Sequence, residues 1–248
     1  MSPKELNSDR LYKNWLLLHS VLNVLGVGCA VWQGSILLWL FLNICSFSYF
    51  ISRISVFLID FPAFIGYASW VTIFRLLLLF VLGFLLEVLD NYVLFSLFAF
   101  AIALDGLDGY VARKFKHRSD FGARIDMETD AFLVMLLTLY HVLEQTIPQW
   151  ILLPALMRFL VGILTYFVVT KEVTTSMFRN TIAEVTTRVF RATIAVIFFV
   201  SLLLAFVLPD DWTYYLISIA GGLILLSFGL EMKEKFARYP NDQTPLML

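Results

Sequence analysis

The stretches Asp105-Gly106-Leu107-Asp108-Gly109-Tyr110-Val111-Ala112-Arg113 and Gly122-Ala123-Arg124-Ile125-Asp126-Met127-Glu128-Thr129-Asp130 carry the strongest signal in this chain. They set carboxylates beside long apolar segments, a placement too costly to serve no purpose. If both stretches are helical, the two aspartates of the first lie one turn apart on one face. Asp126 and Asp130 then lie one turn apart on one face of the second. A short turn between the helices would bring the two faces together.

We predict that these two helix faces together form a metal site. Its carboxylates come from Asp105, Asp108, Asp126 and Asp130. Converging carboxylates repel each other unless cations lie between them. Gly109, Ala112 and Gly122 lie on the same faces and leave room beside the carboxylates. The two glycines could also serve helix packing. Hard oxygen ligands suit Mg²⁺ or Mn²⁺, and a close pair of such ions suits phosphoryl chemistry. We therefore expect two Mg²⁺ or Mn²⁺ ions as cofactors.

The composition is that of a membrane protein. The chain is 60% hydrophobic, 16% aromatic and only 15% charged, with a mean hydropathy of +0.83, whereas a water-soluble domain carries far more charge. A net charge of −1 with dispersed basic residues gives no case for nucleic-acid binding. Cys29 and Cys45 both fall in apolar segments, so we expect packing roles and no disulfide or zinc site.

Apolar segments separated by polar connections predict an all-α, polytopic integral membrane protein of about eight transmembrane helices. Each span can cross roughly 30 Å of hydrocarbon at 1.5 Å per residue. The predicted spans are Trp15–Val31, Ser35–Ile51, Ser69–Leu86, Tyr92–Val111, Ile125–Leu143, Pro148–Val169, Ile182–Leu208 and Trp212–Leu230. The predicted domains are a tail with two additional helices (1–53), an interfacial segment (54–68), a six-helix catalytic core (69–231) and a cytoplasmic tail (232–248).

Lysine and arginine predict the orientation of these spans. With the N-terminus inside, the basic residues of the connections all lie on the cytoplasmic side. The opposite connections, residues 32–34, 87–91, 144–147 and 209–211, contain none. Because cytoplasmic loops carry the excess of Lys and Arg, we expect both termini and the aspartate stretches at the cytoplasmic face.

The spacing Asp-x-x-Asp-Gly-x-x-Ala-Arg, eight residues, then Gly-x-x-x-Asp-x-x-x-Asp resembles the signature of the CDP-alcohol phosphotransferase (phosphatidyltransferase) family, with every fixed position filled. The resemblance implies that Asp105, Asp108 and Asp126 are chiefly metal ligands. It implies that Asp130, which closes the motif, is also the general base toward an acceptor hydroxyl. The CDP contacts expected from the motif come from Gly109, Ala112, Arg113 and Gly122.

A second similarity lies at the start of the third predicted span, in Ser69-Trp70-Val71-Thr72-Ile73-Phe74-Arg75. Many family members have an Asn-x-x-Thr-x-x-Arg segment here, and Ser69 replaces the asparagine. We expect Thr72 and Arg75 to help bind CDP. An ion pair between Arg75 and a motif carboxylate is an equal alternative to direct phosphate contact.

Three further arginines, Arg158, Arg188 and Arg191, fall inside predicted spans. Unpaired, each would cost several kcal/mol, so they either pair with acids such as Glu184 or bind an anionic group of a substrate. We favour the second alternative and assign them to the acceptor. Relatives that use glycerol 3-phosphate open the corresponding helix with Gly-Lys-x-Lys-Thr, whereas residues 183–187 here contain no lysine.

The resemblance predicts a membrane enzyme of phospholipid synthesis. It would transfer a phosphatidyl group from CDP-diacylglycerol to an alcohol, such as the phosphorylated polyol glycerol 3-phosphate, and release CMP by a two-metal mechanism. One alternative is transfer from CDP-choline or CDP-ethanolamine to diacylglycerol. Another is an ion-coupled transporter, which predicts paired broken helices that the sequence does not show. The expected partners are the CDP-linked donor, the alcohol acceptor, membrane lipids and a second copy of the chain in a homodimer.

Overall fold

Eight α-helices and one 3-10 turn form the regular structure of the residues that the computed structural model describes, 3–58, 67–115, 120–169 and 182–238. Side chains are described for residues 10–53, 70–104, 122, 124–164, 166 and 193–229. The helices are α1 Pro3–Gln33, α2 Leu37–Leu58, α3 Tyr67–Leu85, α4 Asn91–Phe115, α5 Asp120–Leu143, α6 Leu152–Val169, α7 Ile182–Leu204 and α8 Asp210–Arg238, with the 3-10 turn Gln149–Ile151 before α6. The predicted all-α class is confirmed over this part of the chain.

Several helix ends differ from the predicted boundaries, beginning with α1, which starts at Pro3 and not at Trp15. Helix α2 continues to Leu58, into the segment predicted to be interfacial, and α8 continues to Arg238, into the predicted tail. Helix α7 ends at Leu204 because the backbone then turns, with the Val207 N–H donating to the Leu204 carbonyl at 3.0 Å. The rest of the predicted interfacial segment, up to residue 66, lies outside the described residues, as does the chain after residue 238.

The connections between helices show ordinary end signals. Helix α1 ends because Gly34 takes a left-handed φ of +67°, and the Ser35 N–H then donates to the Ala30 carbonyl at 3.1 Å. The Asp90 carboxylate precedes α4 and accepts a hydrogen bond from the Tyr92 N–H at 2.9 Å. The first N–H groups of a helix have no acceptor within the helix, so Asp90 caps α4.

Helix α5 is the centre of the bundle, with α1, α3, α6 and α7 packed around it. Its second half is buried on nearly every side, through Phe132, Leu133, Met135, Leu136, Leu137 and Leu139. A helix that is apolar all round belongs in a protein interior. Since α5 begins with the second aspartate stretch, its packing also fixes where Asp126 and Asp130 lie.

The outer surface of the bundle is apolar. On α3 the exposed side chains Phe74, Leu77, Val81 and Phe84 follow helical spacing and form an outward stripe. Among the described side chains, two helical stretches are long and apolar enough to cross a membrane, Arg10–Gln33 and Asp210–Gly229, and five others are shorter. The number of spans stays a prediction.

A buried set of hydrogen bonds joins α1 to α2. Trp15 Nε1 donates to the Ser46 carbonyl at 3.0 Å, and His19 Nδ1 lies 2.9 Å from Ser46 Oγ. Further along, Trp39 Nε1 donates to Asn23 Oδ1 at 3.0 Å. Polar groups that satisfy each other inside an apolar pair of helices hold the two in register.

Helix α1 also packs closely against α6. The contact is made at Gly162, where an added Cβ would lie 2.6 Å from Ser20 Oγ. A small residue at this position lets the two backbones approach. The two additional N-terminal helices are therefore part of one packed bundle with the helices that carry the motif.

Candidate active site

The guanidinium of Arg75 on α3 lies between two motif carboxylates of α5. Its Nη1 donates to Asp126 Oδ1 at 3.2 Å, and its Nη2 is ion-paired with Asp130 Oδ1. The arginine side chain is 2% exposed, whereas those of Asp126 and Asp130 are 35% and 51% exposed. One buried cation therefore meets two partly exposed anions, and both anions lie on the same face of α5.

Of the two alternatives for Arg75, the ion pair with motif carboxylates is the one the structure contains. Direct contact between Arg75 and a phosphate stays a prediction. Thr72, the other residue expected to help bind CDP from α3, is buried one turn earlier on the helix.

The carboxylates of Asp126 and Asp130 fit a hard divalent cation. They direct oxygens toward a common cationic group and keep part of their surface exposed, and carboxylate oxygens are the ligands that Mg²⁺ and Mn²⁺ prefer. Among the described side chains, no group of three or more His, Cys, Asp or Glu could hold a metal ion. Asp105 and Asp108 lie on α4, but their side chains are outside the described set, so the four-aspartate site stays a prediction.

Most other predicted site residues also lie outside the described side chains. They are Gly109, Ala112 and Arg113 on α4, and Arg188 and Arg191 on α7. Gly122, in the first turn of α5, is described and is partly exposed. The roles of all six in binding CDP or the acceptor stay predictions.

Arg158 on α6 is ion-paired with Glu128 on α5, through Nη2 and Oε1. The Glu128 side chain is fully buried, whereas that of Arg158 is 30% exposed. Arg158 therefore pairs with an acid, which is the first of the two alternatives considered for it. The acid lies on α5, the helix that carries Asp126 and Asp130. Glu184, the acid named as an example, has a side chain outside the described set.

Tyr12 of α1 completes this cluster. Its hydroxyl donates to Glu128 Oε1 at 3.1 Å, and its ring lies under Arg124, whose Cζ is 4.7 Å from the ring centroid. Neither Tyr12 nor Glu128 was among the site residues predicted from the sequence. Glu128 could have been found, because an acid near the start of an apolar helix needs a cation and Arg158 needed an acid. Nothing local in the sequence links Glu128 to a tyrosine 116 positions earlier.

A cavity of about 440 Å³ opens between α5, α6, α7 and α8. Its described lining has two charged side chains, Asp130 and Arg158, and is otherwise largely apolar, with Val134, Pro154, Phe198 and Ile224 among the walls. An apolar volume with a few polar groups is typical of small-molecule and lipid sites. The cavity brings together the last aspartate of the motif and the one predicted acceptor arginine whose side chain is described.

The comparison with protein families decides the assignment, because the model for CDP-alcohol phosphatidyltransferase matches residues 66–228, more than half of the chain. The chain belongs to the CDP-alcohol phosphatidyltransferase family. The resemblance predicted from the aspartate stretches is confirmed, and the family is one of membrane-integral transferases of substituted phosphate groups. Helices α1 and α2 lie outside the matched region.

Several curated proteins that resemble this chain carry the name CDP-diacylglycerol--glycerol-3-phosphate 3-phosphatidyltransferase. The protein of Yersinia enterocolitica serotype O:8 / biotype 1B is 34% identical over 119 residues, which are 47% of this chain and 59% of the relative. That of Haemophilus influenzae is 31% identical over 46% of this chain and 58% of the relative, and that of Pseudomonas fluorescens is 33% identical over 46% and 54%. The chain thus spans less than two thirds of the length of these relatives. No solved structure matches the chain.

Proposed function

We propose that this chain transfers a phosphatidyl group from CDP-diacylglycerol to the hydroxyl of a phosphorylated polyol, such as glycerol 3-phosphate, and releases CMP. The observation that carries this proposal is that Asp130 and Arg158 line the same cavity. The names of the relatives support both the donor and the acceptor. The absence of lysine from residues 183–187 leaves Arg158 as the described cation best placed to contact an acceptor phosphate.

Asp130 is the residue we assign to proton transfer. In the reaction, the acceptor oxygen bonds to the phosphorus that carries the diacylglycerol, and the bond from that phosphorus to the oxygen of CMP breaks. The hydroxyl proton needs a base at the point of attack, and Asp130 presents a half-exposed carboxylate to the cavity. Its ion pair with Arg75 orients this carboxylate.

Asp126 and Asp130 are the described residues that would hold divalent ions, together with Asp105 and Asp108 of α4. When bound, Mg²⁺ or Mn²⁺ would neutralise charge on the diphosphate and on the departing CMP. The contribution of the chain is to keep two carboxylates on one face of α5, and Arg75 does this from α3.

Arg158 is the group we assign to the acceptor phosphate. Its Nε is buried and has no hydrogen-bond partner among the described residues, although Nη2 is paired with Glu128. The Arg158 side chain is 30% exposed and lines the cavity, where an anionic ligand could make a charge-assisted contact with its guanidinium. The apolar part of the same cavity suits the acyl portion of a lipid substrate.

The membrane arrangement is part of the proposal. The apolar outer stripe of α3 supports contact with lipid, and the asymmetry of Lys and Arg supports a cytoplasmic site with both termini on that side. The acyl chains of the donor would then stay in the bilayer while its head group reaches the aspartates. The homodimer, the eight spans and the predicted domain boundaries stay predictions.

The test is CMP release by purified protein supplied with Mg²⁺, CDP-diacylglycerol and one acceptor at a time: glycerol 3-phosphate, inositol phosphate, inositol or serine. We expect turnover with a phosphorylated acceptor. We expect Arg158→Gln to raise its KM about tenfold or more, the worth of one charge-assisted contact. Turnover with serine or free inositol alone would contradict the assignment of Arg158. A second assay supplies CDP-choline and diacylglycerol in place of these substrates. Activity in that assay alone would show that donor and acceptor are reversed.

A further inference from the structure

We propose that Tyr12 and Glu128 are positioning residues that set how strongly Arg158 attracts the acceptor phosphate. Through Tyr12, a helix outside the region that the family model matches would take part in choosing the substrate. This inference rests on the proposed function, in which Arg158 binds that phosphate. It assigns to Tyr12 and Glu128 no contact with the reacting atoms.

The first three turns of α5 present two differently charged faces. On one face Asp126 and Asp130 meet Arg75 of α3. On another, Arg124 and Glu128 are also one turn apart, and both contact Tyr12 of α1. The motif helix is therefore held from both sides, and the second side involves no motif aspartate.

Two donors share a single oxygen on this second face. The Tyr12 hydroxyl donates to Glu128 Oε1 at 3.1 Å, and Arg158 Nη2 is ion-paired with the same oxygen. Glu128 is fully buried, and its Oε2 has no hydrogen-bond partner among the described residues. Water therefore does little to compensate the Glu128 charge, and that task falls on Tyr12 and Arg158.

The net charge that Arg158 presents to the cavity then depends on how much of the Glu128 charge is compensated by Tyr12 and how much by Arg158. If the hydroxyl is removed, Arg158 is the remaining donor to Oε1 and is held more strongly by Glu128. Its attraction for an acceptor phosphate falls. If Glu128 is made neutral, Arg158 loses the acidic partner that it has among the described residues, and its attraction for a phosphate rises.

These two substitutions therefore have opposite effects on one measured quantity. Tyr12→Phe removes one hydroxyl, and Glu128→Gln removes one charge while it keeps the shape of the side chain. A cluster that only held α5 in place would respond to both changes in the same direction, through a lower kcat or less folded protein. Opposite shifts in KM separate selection of the acceptor from simple support of the helix.

The experiment measures KM and kcat for glycerol 3-phosphate at saturating CDP-diacylglycerol and Mg²⁺. We expect Tyr12→Phe to raise KM about threefold or more and Glu128→Gln to lower it by a similar factor, with kcat within about twofold in both. Tyr49→Phe is the matched control, since Tyr49 on α2 also lies under an arginine, Arg53, at 5.4 Å but is 45% exposed. It should keep the wild-type constants.

The outcomes separate this inference from the proposed function. A wild-type protein without turnover on any phosphorylated acceptor contradicts the proposed function and this inference with it. Wild-type turnover with a KM that stays unchanged, or that moves in the same direction in both variants, overturns this inference alone. Should Glu128→Gln fail to fold, Tyr12→Phe is combined with Arg158→Gln. Removing the hydroxyl must then leave KM unchanged, and a further rise overturns the inference.

Discussion

Arg75 on α3 and Asp130 on α5 form an ion pair in which the cation is buried and the anion is half exposed. The buried arginine supplies a permanent positive charge on the protein side of the carboxylates. Part of each carboxylate stays exposed on the other side. Such a pair holds the aspartates in place before any ligand binds. Burying the arginine is costly, and the two carboxylates compensate its charge.

Replacing Arg75 should make the folded protein depend more on divalent metal. Arg75→Ala leaves Asp126 and Asp130 facing each other without their shared cation, so the thermal midpoint in detergent should fall. Mn²⁺ should recover more of the loss in this variant than it adds to the wild type, because the ion would take over the balancing charge. Arg53→Ala, which removes an exposed arginine from α2, is the control. Equal Mn²⁺ effects in both variants would contradict a metal site at these carboxylates.

Replacing the proposed base should stop the reaction without unfolding the protein. Asp130→Asn keeps the shape of the side chain but cannot accept the proton, and CMP release should fall by about 100-fold or more. Alanine at Asp105, Asp108 or Asp126 should likewise abolish release and weaken Mn²⁺ binding. Asp90→Asn is the control, since asparagine can still accept the Tyr92 N–H before α4. Turnover like that of the wild type in any motif variant would remove the two-metal proposal.

Enlarging Gly162 should loosen α1 from α6. A leucine there cannot fit beside Ser20, whose Oγ would lie 2.6 Å from the added Cβ. Overpacking of this kind costs about 1–3 kcal/mol, so the thermal midpoint should fall. Gly222→Leu on α8 is the matched control, because an added Cβ there meets nothing within 4 Å. Equal stability of the two variants would show that α1 and α6 are not tightly packed.

The orientation in the membrane can be tested by cysteine labelling of intact cells. In a background with Cys29 and Cys45 replaced by alanine, a reagent that does not cross the membrane should modify Asp210→Cys and spare His117→Cys. This follows from the location of Lys and Arg on one side of the predicted spans. Labelling of position 117 but not 210 would invert the proposed topology.

Local spacing made part of the site predictable. A period of about 3.6 residues is enough to place Asp126 and Asp130 on one face of α5, and the structure shows both reaching Arg75. The partner of Arg75 was one of two alternatives, because spacing alone does not show which helices touch. The eight helices followed from apolar run lengths in the same way.

The contacts of Glu128 could not be derived from spacing. It lies between two motif aspartates in sequence but points to another face, toward Arg158 and Tyr12. Its partners come from α6 and from α1, and the local sequence around Glu128 does not show that these two helices lie beside it. The ends of α2 and α8 were also missed, since helices continue into polar sequence when neighbouring helices or the aqueous boundary support them.

The hydrogen-bonded pair of α1 and α2 bears on how the chain is inserted during synthesis. On its own in hydrocarbon, α1 would leave His19 Nδ1 and Asn23 Oδ1 without the partners that they have in the bundle, and a polar atom without a partner is costly there. The partners Ser46 and Trp39 arrive only with α2. If α1 and α2 span the bilayer, as the sequence predicts, partition is therefore favoured for the two helices as a unit, before the later helices of the bundle are made. The pair would then form a preassembled hairpin, on whose surface Ser20 lies ready for the later emergence of Gly162.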